Sequence, residues 1–435
     1  MISRNIKWGI VLVMFLIAAY IIVFFLTQHH SDTGVIKIYF ADRVTAAHKI
    51  LIDQYNQKMK GKVEVVPIDF PNFDFSTNER KEILARSLRG TGDGIDLFAV
   101  DVIWVQRFAK WCEPLDQYLT DSEKSRLLEA PLKSCYYKGE LVALPLDFVQ
   151  GVMYYREDLL MNLKNGPEIL EKVKKGITWE EFIQIGIGLK LKNPFYIFPA
   201  ADYEGLICSY MDLVLGLNPN YFLENGFNLD TPQSQRALQL LVDLVNKHRL
   251  TPSIVTTFTE VPSYKYYIDQ NGLFIRGWQS YDKDFMESPV DPLKEKNLMK
   301  AQIPYFANAN PATVIGGWHM MISKFSDKKK EVIDFVRFLL SDEAQEMFYK
   351  ESGYYPVVKK FYEDPYYQNK YKELIKMQGI FSHGVHRPAH EEYTRFSKIM
   401  SYYFEEAIKQ NISVKEALSK ATRAIQKEET AIREM

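Results

Sequence analysis

Cysteine is scarce in this chain. Three occur in 435 residues, Cys112, Cys135 and Cys208. No two stand in a Cys-x-x-Cys spacing, which removes zinc ribbons and thioredoxin-type redox chemistry. Histidine is also rare, at eight residues, and no His-Glu-x-x-His occurs, so no metal site is expected. Neither a Gly-x-Ser-x-Gly elbow nor a Walker loop is present. Gly90-Thr91-Gly92-Asp93-Gly94 is spaced too tightly for a dinucleotide fingerprint. It also precedes an apolar run instead of following one, so it reads as a turn and no cofactor is expected. The formal net charge is −1, which gives no basic footprint for nucleic acid. A linker rich in Gly, Ser or Pro is missing, as is any internal repeat. A paired-carboxylate glycosidase carries no spacing signature, so these absences do not bear on it.

What is present starts at the N-terminus. Arg4 and Lys7 precede a run from Trp8 to Leu26 without one charged residue. As a helix it would be about 28 Å long, close to the hydrocarbon thickness of a bilayer. No Lys or Arg follows in 27–32, so the positive-inside rule predicts a cytoplasmic Met1 and an extracytoplasmic remainder. The run exceeds a signal-peptide core and ends in bulky Phe24-Phe25-Leu26, with no lipid-accepting cysteine after it. Length therefore favours a retained single-pass anchor over a cleaved signal. Outside the membrane a disulfide is permitted. Cys112 and Cys135 flank a helical-looking segment, 116–133, and are the expected pair, with Cys208 left free.

Beyond the anchor, 47% hydrophobic residues suffice for two or three cored domains. Alternation over 35–40 and 62–68 predicts strands; apolar spacing over 45–59 and 77–89 predicts helices; 95–100 reads as a strand covered on both faces. This β-α-β-α-β order predicts a doubly wound α/β sheet. Helices are expected over 178–191, 206–217, 233–248, 328–340, 391–410 and 414–429, with strands at 272–277 and 319–322. The 27 Tyr and 27 Phe suit either an aromatic core or a surface that stacks on sugar rings.

Several segments look familiar in order and spacing. Tyr137–Asp147 reads Y-K-G-E-L-V-A-L-P-L-D, Tyr154–Leu160 reads Y-Y-R-E-D-L-L, and Thr178–Phe182 reads T-W-E-E-F. They are followed by Gly272–Trp278 (G-L-F-I-R-G-W), Gly316–Ser323 (G-G-W-H-M-M-I-S), Ser341–Gln345 (S-D-E-A-Q) and Gly353–Pro356 (G-Y-Y-P). Through these the chain resembles, over 35–425, the family 1 extracellular solute-binding proteins, the carbohydrate-capturing subunits of ABC importers related to maltose-binding protein. It departs from them in lacking a lipobox and in its first loop, Ala41-Asp42-Arg43.

The resemblance implies a two-lobed periplasmic-binding-protein-like (type II) α/β fold preceded by one transmembrane helix. Residues 1–32 would form the stub and anchor, 35–143 plus 306–345 lobe one, and 144–305 plus 346–435 lobe two. A small polar ligand, a mono- or oligosaccharide, would be held between the lobes without being turned over. The expected ligand contacts are Asp42, Asp101, Asp147 and Glu204 as acceptors and Trp104, Tyr203, Trp278 and Trp318 as stacking surfaces. Gly317 allows close backbone approach, and Arg387 serves as a planar fork. Asp101 and Asp42 also stand where a helix N-cap is wanted. The expected partners are ABC permease and ATPase subunits. A membrane-anchored sensor presenting its closed state to a receptor or kinase is the alternative, and a glycoside-active enzyme the third reading.

Overall fold

The computed structural model describes residues 34–70, 77–284, 294 and 296–427. The anchor expected at Trp8–Leu26 lies outside them. Among the described residues no helix is long and apolar enough to cross a membrane.

The first strands follow from the sequence. β1 (Ile36–Asp42) and β2 (Val63–Asp69) are joined by the helix Ala46–Lys58, and the helix Thr77–Arg89 leads to β3 (Leu97–Asp101). β1 pairs in parallel with both β2 and β3. Leu97 to Val100 are wholly buried, as expected for a strand with both faces covered. The helix Ala46–Lys58 starts at Thr45, whose hydroxyl caps the His48 N–H while the His48 ring returns to the Thr45 backbone. The Gly90–Gly94 segment is a turn. Thr91, Gly92, Asp93 and Gly94 all take positive φ there.

Short strands follow: a hairpin of β4 (Tyr136–Tyr137) and β5 (Glu140–Leu141), then β6 (Leu144–Pro145) and β7 (Val149–Arg156). β8 (Tyr196–Ile197), β9 (Phe274–Trp278), β10 (Leu298–Ala301), β11 (Thr313–Gly316), β12 (Trp318–Ile322) and β13 (Gly384–His386) complete the set. They form two mixed sheets. One runs β2-β1-β3-β12-β6, the other β13-β11-β7-β9-β8 with β10 beside β7. This is the two-lobed α/β architecture.

The chain passes between sheets in very few residues. Leu146–Phe148 separate β6 from β7, and Gly317 alone separates β11 from β12. The two passages lie side by side: the Leu146 N–H donates to Trp318 O at 2.8 Å, and the Trp318 N–H donates to Asp147 Oδ1 at 2.6 Å. Gly317 has φ +133, and a Cβ there would sit 2.7 Å from Asp147 O. Only glycine fits such a backbone approach without displacing it. Buried Gln345 ties in a third segment, donating to Leu146 O and accepting from the Val357 N–H at 2.8 Å. The lobe bounds differ from the sequence reading. That reading places all of 306–345 in lobe one, yet β11 pairs with β7 and β13 in the second sheet. The passage falls at Gly317 because that is where the glycine lets the strand change sheets. The sequence reading also starts lobe two at 144 and resumes it at 346, yet β6 pairs with β12 in the first sheet and the helix Asp342–Ser352 packs on Ala46–Lys58.

The helices of the second half match the spacing. Thr178 and Glu181 form a reciprocal capping box at the head of Trp179–Leu189, a device that stabilises a helix by about 1 kcal/mol. Trp179 is buried beneath it. Two expectations fail. The segment 116–133 is two short helices, Asp121–Ser125 and Glu129–Lys133. Cys112 and Cys135 form no disulfide; all three cysteines are free and buried. The Cys112 thiol donates to Phe108 O and the Cys135 thiol to Pro131 O, each four residues back along its own chain.

Candidate functional site

The site is built where strands of both sheets end. Asp101 is the last residue of β3, at the carboxyl edge where ligands of α/β sheets sit. Its carboxylate caps as expected, Oδ1 accepting from the Ile103 N–H at 3.1 Å, and also accepts from Arg387 Nη2 at 2.9 Å. Arg387 follows β13 of the second sheet. Its Nη1 donates to Glu204 Oε1 at 2.9 Å. Glu204 opens the helix Glu204–Leu217 and also accepts from the Tyr393 and Ser397 hydroxyls. Burial works against the Arg387 charge, but Asp101 and Glu204 hold it protonated, well above its usual value. One arginine thus joins the acid that ends β3 to the acid that opens the helix Glu204–Leu217.

The indoles lie beside the two-glycine passage. Trp278 ends β9, half-buried, and a Cβ on Gly316 would come within 3.3 Å of its ring. Arg276 lies over the ring at 4.4 Å and is itself paired with Asp212 at 3.1 Å. Burial raises the carboxyl pKa of Glu260, against the pull of Tyr203, Arg276 and Trp278 beside it. Trp318, also half-buried, lies beneath the Arg80 guanidinium at 4.1 Å and edge-on to buried Trp104 at 6.4 Å. Burial lowers the pKa of Lys81, the neighbour of Arg80, against the pull of Glu82 and Glu204.

The other two expected acceptors, Asp42 and Asp147, are likewise paired within the chain and are more deeply buried. The Asp42 carboxylate is buried, 2.8 Å from Arg80 Nη2 and 3.3 Å from His48 Nε2. Burial would raise its pKa, but His48 and Arg80 hold it below the usual range. It is no helix cap, because Thr45 takes that place. Asp147 stands at the passage as expected, but its Oδ1 is taken by the Trp318 N–H and the residue is buried. Asp101, Glu204, Trp278, Trp318, Gly317 and Arg387 are brought together, with Tyr203 and Trp104 at the margins.

Sequence reasoning missed Arg80, Lys81, Arg276 and Glu260. One signal was available: Arg276 is a charge in the middle of an otherwise apolar strand, which demands a buried partner. Arg80 and Lys81 gave none, since Lys and Arg on an amphipathic helix usually face water.

Comparison with known proteins agrees with this architecture. Residues 51–374 match the model of the bacterial extracellular solute-binding proteins. The chain belongs to that family. A probable ABC transporter-binding protein of Deinococcus radiodurans is 24% identical over 80% of this chain and 83% of its own length. Among solved structures, maltose-bound T. maritima MalE3 shares 25% identity with a TM-score of 0.78, covering 90% of this solute-binding chain and 99% of its own. A Thermotoga lettingae ABC transporter solute-binding protein bound with alpha-D-tagatose gives 0.75 at 20% identity, over 91% and 99%.

Proposed function

We propose that this protein captures a mono- or oligosaccharide between its two lobes for an ABC-type importer, without turning it over. The observation that carries the reading is the meeting of two half-buried indoles, Trp278 and Trp318, with the Asp101–Arg387–Glu204 group at the strand ends. Indole faces take the C–H side of a sugar ring, and carboxylates with a guanidinium fork take its hydroxyls. The named ligands of the two similar solved structures, maltose and tagatose, are of this class. In this reading Asp42 and Asp147 brace the site, while Tyr203, Trp104 and Gly317 border the ligand. Lobe one comprises about 35–145 plus the stretch from Gly317 to about 359, and lobe two the remainder. The uncharged run Trp8–Leu26 holds the lobes at the outer face of the membrane, with permease and ATPase subunits as partners.

The test is calorimetric titration of the full chain with mono-, di- and oligosaccharides, sugar alcohols and amines, followed by small-angle scattering. Saturable sugar binding with a smaller radius of gyration is expected. Binding of amines in place of every sugar would overturn the reading.

A further inference from the structure

A second concavity, of about 470 Å³, lies in the second lobe at the far end of β9 from Trp278. It is walled where the helices Trp179–Leu189 and Pro232–Asn246 end and where the chain enters β8. One strand length, roughly 16 Å, separates the two places. Its lining contains Lys190, Lys192, Arg249 and His248 and not one Asp or Glu. Among the described residues none of these four side chains makes an ion pair or a hydrogen bond. What sets them apart is that they gather in one concavity that holds no acid.

The bland explanation is that basic residues gather at helix ends to offset the last carbonyls. It covers only part of this lining: in Pro232–Asn246 two of the last carbonyls are already met by main chain, Asp243 O by the Lys247 and His248 N–H groups and Leu244 O by those of Leu250 and Thr251. Moreover, Lys190 (φ 48) and Arg249 (φ 54) hold left-handed backbone, where glycine is the residue without cost. Gly186 keeps the walls close, since a Cβ there would meet Leu250 and Phe195 at 2.8 Å. Apolar surface from Ile187, Phe195 and Tyr266 completes the lining.

We propose that this pocket binds a phosphate monoester carrying an apolar or aromatic body. Three cations and one imidazole match the three outward oxygens and the double charge of a monoester, whereas a carboxylate offers two oxygens and one charge. A concavity with charge of one sign concentrates the opposite one. The apolar wall takes the ester's organic part. The chemistry fits a free ester or the headgroup of phosphatidic acid, and it is independent of what the interlobe site binds.

The test uses the full chain in neutral detergent with phenyl phosphate as the probe. Wild type should saturate, and its dissociation constant should rise with salt. Lys190→Gly with Arg249→Gly should weaken binding at least ten-fold while leaving the melting temperature unchanged or higher, because glycine relieves both backbones. Benzoate should bind distinctly more weakly. Adding phosphatidic acid, but not phosphatidylcholine, should raise the apparent constant if the headgroup is the occupant; no change assigns the pocket to free esters. The proposal falls if phenyl phosphate shows no saturation by about 10 mM, weaker than a specific site. It falls equally if the double variant binds unchanged, or if benzoate matches phenyl phosphate.

Discussion

Arg387 Nη2 donates to Asp101 Oδ1 at 2.9 Å, joining the segment after β13 in the second sheet to the end of β3 in the first. The Arg387 side chain is 2% exposed, Asp101 19% and Glu204 21%. Replacing Arg387 by Met leaves both acids without their cation. A cost of about 2–3 kcal/mol is expected, below the fully buried range because the acids keep some water. Thermal melting reads the cost. Small-angle scattering of the ligand-free protein should show a larger radius of gyration, since one tie between the sheets is gone.

Trp278→Ala removes one of the two indole faces. A stacked ring contributes on the order of 1–2 kcal/mol, so sugar affinity should fall about ten-fold in calorimetric titration. Full affinity together with a melting temperature lowered by several degrees would show that the ring serves the core.

Gly317→Ala places a Cβ 2.7 Å from Asp147 O on a left-handed backbone. Denaturant unfolding should reveal a loss of about 1–3 kcal/mol for the strained conformation alone. Gly188→Ala is the control: a Cβ there would meet nothing within 4 Å, so the change should be neutral or slightly stabilising.

His319 supplies a pH dependence. Burial pushes its pKa down to about 4, with Ser134 Oγ 2.7 Å from its Nε2 and His386 nearby. The unfolded chain therefore takes up this proton first. The stability contributed by the neutral ring is complete above about pH 6.5 and is lost as the pH falls toward about 4, at most about 3 kcal/mol. His319→Gln should flatten this part of the melting profile. Asp212 and Glu260, whose carboxyls burial pushes up, act in the opposite sense, so the difference between wild type and variant is the readout.

The three cysteines should count as three thiols when the protein is unfolded without reductant, and as none in the folded state. Burial raises the pKa of Cys112, Cys135 and Cys208, which suppresses the reactive thiolate as well as access. Fewer than three thiols on unfolding would restore a bridge.

Regular elements were readable because one period governs each: alternation in Ile36–Asp42, helical spacing in Glu204–Leu217 and Tyr393–Ile408. The ends of strands were readable as well, which is why Asp101 and Trp278 were expected where β3 and β9 end. What stayed hidden depends on distance in space. Nothing local tells that Asp147 would spend its carboxylate on the Trp318 backbone, or that Arg80 would turn inward to Asp42. The cysteine pairing failed for the same reason: separation along the chain carries no information on where two side chains point.

The side-by-side passages at Leu146–Phe148 and Gly317 are stitched to each other by hydrogen bonds from Leu146 to Trp318 and from Trp318 to Asp147. Two short parallel ties so coupled resist twisting and sliding of one sheet against the other and leave bending as the soft direction. If the lobes close on a sugar as proposed, a longer or bulkier guest would hold them at a wider angle, and a permease docking on both lobes would read the guest's size from that angle.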